Sequence, residues 1–258
     1  KALYELLKQC TLRIGPKGAH GTGFFVAPQH ILTCHHVVDG EEVSVQPFGE
    51  AGPGETLAAR RVSYIERPVD LCLLQLTTPV EHPCVWLDDD FLPRDETYIW
   101  GYPEREQDGS STTCTIEGDA MKETALNIKM KNAQLQAGLS GAPMLNFRTG
   151  KVCGLMRATH NKRDDLGGKA VPVSTIYQYL PELAELHKTW QAQDSQWARL
   201  LDSAQERPHR YLTAAPPDPP KAFTGREELL KDIHRQLLAQ DRLMLVSGMG
   251  GIGKTTLA

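Results

Sequence analysis

The chain has 258 residues, with 28 basic against 32 acidic side chains and a net charge of −4 when histidine is neutral. Hydrophobic residues make up 40 % and charged residues 23 %, which excludes a disordered or fibrous chain. The acidic balance argues against a nucleic-acid partner, because no broad basic surface is at hand to displace counterions. No run of about 18 apolar residues is present to cross a bilayer as a helix. The opening "KALYELLKQCTLRIG" has neither an initiator Met nor the apolar stretch of a secretory signal, so residues upstream are expected. Cys10, Cys34, Cys72, Cys84, Cys114 and Cys153 are scattered, with no Cys-x-x-Cys pair. They are expected to be small buried thiols in a reducing compartment rather than metal ligands.

Residues 1–180 are predicted to be all-β. Short apolar runs recur, among them "GTGFFVAPQHILTCHHVV", "EEVSVQPF", "AARRVSYIE", "DLCLLQL", "ETYIWGYP", "STTCTIEG", "ALNIKM", "GAPMLN" and "GKVCGLMRAT". Gly, Pro, Asp and Asn break them, a pattern of a sandwich or barrel rather than of alternating βα units. The period then changes. Leu183, Leu186, Trp190, Trp197, Leu200 and Ala204 form one apolar stripe, which predicts an amphipathic helix over 181–207 packed on a neighbouring domain, with Ser174 and Pro181 as possible starts. Pro208, Pro216, Pro217, Pro219 and Pro220 make 208–221 a semi-rigid linker. Residues 222–258 begin a second unit: a helical piece containing Leu229, Leu230, Ile233, Leu237 and Leu238, then a short apolar strand and a Gly-rich loop.

Three segments of the β region belong together chemically. "ILTCHHVV" ends an apolar strand in two histidines, "PVDLCLLQL" opens one with Asp70, and "AGLSGAPML" sets Ser140 between glycines. A Ser hydroxyl is a poor nucleophile unless an imidazole takes its proton. A buried carboxylate fixes the tautomer of that imidazole and stabilises its cation. The oxyanion formed on attack needs backbone N–H groups aimed at it, and glycine before the Ser permits the turn that aims them. Asp39 and Glu66 are poorer carboxylates for this purpose, since neither opens a buried strand.

These three motifs, in the order His, Asp, Ser, resemble those of the trypsin-like (chymotrypsin-fold) serine proteases, and within them the high-temperature-requirement and viral branches that lack disulfides. "GTGFFVAPQHILTCHHVV" is similar to the family's strand leading into Thr-x-x-His-Val, "VDLCLLQL" to its Asp-Leu-Ala-Leu-Leu strand, and "GLSGAP" to its Gly-x-Ser-Gly-x-Pro loop. The resemblance covers roughly residues 9–180 and implies a mainly β fold, a double six-stranded β-barrel. It implies His36 as general base, Asp70 as its orienting carboxylate, Ser140 as nucleophile, and the N–H groups of Gly138 and Ser140 as oxyanion hole. His35 competes with His36. His36 directly precedes "VV", as the family's catalytic His does, and the alternation of a strand does not settle the choice.

Two departures from the trypsin pattern stand out. The position before the nucleophile, where zymogens carry the Asp of an activation salt bridge, is Leu139. The position six before it, where trypsin carries the Asp that reads basic side chains, is Gln134. A buried Lys or Arg would lack a counter-charge there, so apolar or small residues are the expected preference.

"GMGGIGKTT" matches the phosphate-loop pattern from Gly248 to Thr255 and follows the apolar run "RLMLVS". In such a loop Gly248, Gly250, Gly251 and Gly253 expose N–H groups to phosphate. Lys254 reaches the terminal phosphates, Thr255 holds Mg²⁺, and Thr256 follows. With Phe223, Gly225 and Arg226 upstream, residues 222–258 resemble the opening of NB-ARC-type (STAND) signalling ATPases. That resemblance implies ATP or ADP and Mg²⁺ for the complete protein, with Arg226 in its nucleotide-binding set, and no cofactor for proteolysis.

The combined expectation is a chymotrypsin-fold domain over 1–180, a helix, a Pro-rich linker and a truncated α/β P-loop segment. It is a serine endopeptidase effector on a nucleotide-driven module that self-oligomerises, acting on a protein substrate in cytoplasmic defence or cell-death signalling, with neither nucleic acid nor membrane as partner. Two alternatives stay open. One is a catalytically inactive protease fold used as a binding module; the other is a protein whose essential activity is NTP turnover.

Overall fold

The computed structural model describes residues 2–16, 20–49, 52–106, 108–122, 125–131, 136–157 and 167–205. Gln134, the linker 208–221, and Arg226, Gly248, Gly250, Gly251, Gly253, Lys254, Thr255 and Thr256 lie outside the described residues.

Two closed antiparallel barrels of six strands each form the body of the domain. The first contains β1 (Thr11–Ile14), β2 (Gly21–Ala27), β3 (His30–Thr33), β4 (Glu42–Gly49), β6 (Leu57–Ile65) and β7 (Leu71–Leu76); a two-residue strand, β5 (Gly52–Pro53), folds back on β4. Its order is β1-β2-β3-β7-β6-β4, and β4 closes the ring on β1 with Arg13 opposite Gln46. The second contains β8 (Glu96–Gly101), β9 (Ser110–Lys122), β10 (Ala125–Lys131), β11 (Pro143–Asn146), β12 (Val152–Arg157) and β13 (Gly167–Pro172), closed in the order β10-β13-β12-β11-β8-β9. Closure leaves no open sheet edge in either ring.

Side-chain alternation sorts the residues. Along β2, Phe25 enters the first barrel beside Leu12, Ile14, Ile31, Val45 and Leu74, while Phe24 and Val26 face the second barrel. Both faces of β2 are therefore buried, and the strand reads as a continuous apolar run. Ile99, Ile116, Ile128, Met130, Met144 and Met156 fill the second barrel. The segment between the barrels joins them through backbone bonds: Val85 N–H to Phe25 O (2.9 Å), and Val152 N–H to Trp86 O (2.8 Å).

The helices correct two expectations. A helix, α1 (Ala2–Gln9), opens the region read as all-β; Leu3, Leu6 and Leu7, at spacings of 3 and 1, lie against the inter-barrel cluster. After β13 come α2 (Val173–Tyr179), α3 (Pro181–Gln191) and α4 (Gln196–Gln205), so the stripe read as one helix is divided. Asp194 accounts for the division: its carboxylate accepts from Gln196 N–H (3.0 Å) and Trp197 N–H (3.1 Å) and so caps a new helix. The same carboxylate accepts from Trp86 Nε1 (2.8 Å). The stripe packs on the barrels themselves: Leu183 and Trp197 are fully buried in the inter-barrel cluster, and Trp197 Nε1 donates to Gly150 O (3.0 Å). Residues 2–205 thus belong to one compact unit. All six cysteines are free and buried.

Candidate active site

Antiparallel pairing of β3 with β7 builds the first half of the site. Thr33 lies opposite Cys72, so the chain leaving β3 and the chain entering β7 meet at one end of the first barrel. His36 sits just past β3 on a 3₁₀ turn, His35–Val37, and Asp70 just before β7. Asp70 has a left-handed backbone, φ +67°, which a short polar side chain tolerates.

Asp70 is 1 % exposed, and its carboxylate grips His36 twice. Its Oδ2 accepts from the His36 ring at Nδ1 (2.7 Å), and its Oδ1 accepts from the His36 backbone N–H (3.0 Å). With the Nδ1 proton committed to a carboxylate, Nε2 is left as the acceptor nitrogen. Burial by itself pushes the Asp70 carboxyl up, but the ring and backbone hydrogen bonds from His36 outweigh it and hold the group below its ordinary range. His35 points elsewhere and stacks on Tyr64, ring centroids 4.7 Å apart.

Cys34 Sγ lies within 4.8 Å of the His36 and Asp70 ligand atoms, a spacing compatible with a metal ion. The donor set is already spent. Burial, then the Asp70 charge, pushes the Cys34 thiol well up, so it stays protonated and donates to Met156 O (3.4 Å), while Nδ1 belongs to Asp70.

The second half comes from the loop before β11. Ser140 is 5 % exposed and lies between Gly138 (φ +95°) and Gly141 (φ +88°). Both glycines are required: a Cβ on Gly138 would collide with Tyr102 O, and one on Gly141 with Thr22 O and Thr33 Oγ1. The loop docks on the first barrel through Thr22 N–H to Ser140 O (2.9 Å) and Thr22 Oγ1 to Gly138 O (2.7 Å). Met156 O accepts from Gly141 N–H (2.7 Å) and from the Cys34 thiol, so the Ser140 loop and the strand end that carries His36 share an acceptor.

Every peptide of this loop is oriented by its carbonyl, because in a trans peptide C=O and N–H point oppositely. Ala137 O accepts from Glu104 N–H (2.9 Å) and Leu139 O from Ala142 N–H (3.0 Å). Those bonds turn the Gly138 and Ser140 N–H groups away from their neighbours, and among the described residues neither has a backbone acceptor. Leu139 N–H, in contrast, donates to Gln136 O (3.3 Å). The Leu139 side chain is buried against Gly101.

A family model for the trypsin-like peptidase domain matches residues 21–155, which is more than half of the chain and holds His36, Asp70 and Ser140. The chain belongs to the trypsin-like peptidase family. This trypsin-like serine protease domain has no match among curated protein sequences. Its fold is similar to that of the active form of the Rv3671c protease from M. tuberculosis (TM-score 0.58, 21 % identity, covering 70 % of this chain and 83 % of that one). The MamO protease domain from Magnetospirillum magneticum is similar at TM-score 0.58 and 19 % identity, over 69 % of this chain and 98 % of that one. A serine endoprotease from Yersinia pestis is similar at TM-score 0.55 and 18 % identity, over 70 % and 65 %.

In the trypsin-like domain the structure brings His36 to Asp70 and docks the Ser140 loop beside them. The sequence reading left out the supports of this arrangement: Thr22, Cys34, Glu104 and Met156. Thr22 had a signal, as a polar residue between two glycines in an otherwise apolar buried strand; the backbone groups of Glu104 and Met156 had none.

Proposed function

We propose that the domain is a serine endopeptidase working through Ser140, His36 and Asp70 by an acyl-enzyme route. The observation that carries the reading is the doubly bonded Asp70–His36 pair at the barrel end where the Ser140 loop docks. His36 Nε2 takes the Ser140 hydroxyl proton as Oγ attacks the scissile carbonyl, and the imidazolium is stabilised by Asp70. The N–H groups of Gly138 and Ser140 hold the oxyanion. His36 then gives its proton to the leaving amine, and water hydrolyses the ester by the same steps in reverse order. Gln134 in place of an acid supports a preference for apolar or small side chains before the cleaved bond.

The test is labelling by a fluorophosphonate probe. Wild type is expected to label, and Ser140→Ala and His36→Ala to lose the signal. Labelling that persists in Ser140→Ala would overturn the assignment, and a wild type that never labels, with or without ATP and Mg²⁺, would favour a binding module.

For the complete protein the proposal extends to a switch. The phosphate-loop residues Gly248 to Thr256, with Arg226, support a STAND-type module that binds ATP or ADP with Mg²⁺ and self-oligomerises to control the protease in cytoplasmic defence signalling. A longer protein is expected to bind ATP, and Lys254→Ala to abolish that binding. Equal peptide hydrolysis with and without nucleotide would refute the switch.

A further inference from the structure

We infer that Thr22 is a positioning residue that holds the oxyanion loop in its working shape from the opposite barrel, in the role that an activation ion pair plays where the residue before the nucleophile is an acid. The inference rests on the serine-peptidase reading above.

Thr22 lies on β2 and is 0 % exposed. Its hydroxyl accepts from Tyr102 N–H (3.0 Å) and stands 2.7 Å from Gly138 O. An amide N–H only donates and a carbonyl only accepts, so the single hydroxyl proton must go to Gly138 O. Its own N–H donates to Ser140 O (2.9 Å). One residue therefore fixes the Gly138–Leu139 and Ser140–Gly141 peptides, which alternate along the loop with the two peptides that carry the unspent N–H groups of Gly138 and Ser140. It also tethers Tyr102, two residues before Glu104, whose N–H sets the Ala137–Gly138 peptide.

Two ordinary ways of fixing such a loop are missing here. Leu139 offers no carboxylate to a cation, and its buried side chain orients no peptide by hydrogen bonding. Glycines at 138 and 141 leave the backbone free to adopt other conformations. A flip of the Ala137–Gly138 peptide would turn Ala137 O toward the oxyanion instead of the Gly138 N–H. The Glu104 N–H bond to Ala137 O opposes that rotation directly, and Thr22 supports it by tethering Tyr102 and by fixing the adjoining Gly138–Leu139 peptide through Gly138 O. Because Thr22 is held by the pairing of β2 with β1 and β3, the loop is set by folding itself, without a cleaved amino terminus.

The test measures inactivation by a fluorophosphonate, separating kinact from KI, in the full chain. Phosphonylation forms an oxyanion at phosphorus as the Ser140 oxygen displaces fluoride, so it reports the hole directly. Thr22→Val, which keeps shape but removes the hydroxyl, is expected to lower kinact about 10- to 100-fold, less than direct loss of an oxyanion donor, with KI within about twofold. Thr22→Ser is expected to restore kinact to within about threefold. Thr22→Cys, whose thiol is a weak donor, is expected to fall between them and keeps the comparison available should the Val variant not fold.

A folded Thr22→Val or Thr22→Cys with wild-type kinact would overturn the role of Thr22 while leaving the peptidase reading intact. So would a folded Thr22→Ser as slow as Thr22→Val. Failure of the wild type to label at Ser140 would overturn both.

Discussion

Asp70 binds His36 through both carboxylate oxygens, one to the ring Nδ1 at 2.7 Å and one to the main-chain N–H at 3.0 Å. The pair locks the ring in one tautomer and the 3₁₀ turn in one orientation at once. A single residue change can therefore separate electrostatics from positioning at this site.

Asp70→Asn keeps the volume but replaces an acceptor by an amide that can present N–H to Nδ1, favouring the wrong tautomer. Fluorophosphonate labelling is expected to slow by about 10³- to 10⁴-fold, in line with the cost of this change in serine-protease triads. Circular dichroism should remain that of the wild type.

The acid limb of stability follows from two carboxylates held below their ordinary range. Asp70 is held down by His36 against its own burial, and Asp95, likewise against burial, by Arg148 and Asn146. A folded pKa below the unfolded value gives stability that is present above the unfolded pKa, about 3.9, and is lost as pH falls through the folded one. Thermal midpoints should be insensitive to these two groups from pH 5 to pH 8 on this scale and decline below about pH 4. Asp95→Asn should flatten that decline.

Gly141→Ala forces a Cβ onto Thr22 O in a backbone at φ +88°. The left-handed conformation alone costs roughly 1–2 kcal/mol for a residue with a side chain, and backbone cannot move aside as a side-chain tip can. Chemical denaturation should show at least that loss, accompanied by loss of probe labelling. A fully active Gly141→Ala would mean the loop has another available docking geometry.

Trp197→Ala removes the largest fully buried side chain and its bond to Gly150 O. The expected destabilisation is about 3–5 kcal/mol, read from the urea midpoint. A change under about 1 kcal/mol would show that α4 does not contribute to the barrel unit.

Much of the arrangement was legible from the chain because it depends on local pattern. The strands flanking "TCHHVV" and "VDLCLLQL" show in their apolar runs, and the residue types of the proposed triad show in order and strand context. The N-terminal helix was missed because eight residues, Ala2–Gln9, give too short a period beside so many strands. The stripe from Leu183 to Ala204 revealed helical spacing but not its interruption, because apolar period carries no mark of a polar cap such as Asp194, whose carboxylate also accepts from Trp86, 108 residues away.

The amino-acid order alone determined which chemical groups are present and which short stretches are extended or helical, since both follow from neighbouring residues. Tertiary structure supplied the partners of the two histidines, by pairing β3 with β7 so that Asp70 bonds the His36 imidazole while the His35 imidazole stacks on Tyr64. It also decided how the loop around Ser140 is held, through bonds such as that between Thr22 and Gly138, 116 residues apart. Such bonds depend on register between distant strands, and register is set by the closing of both barrels together.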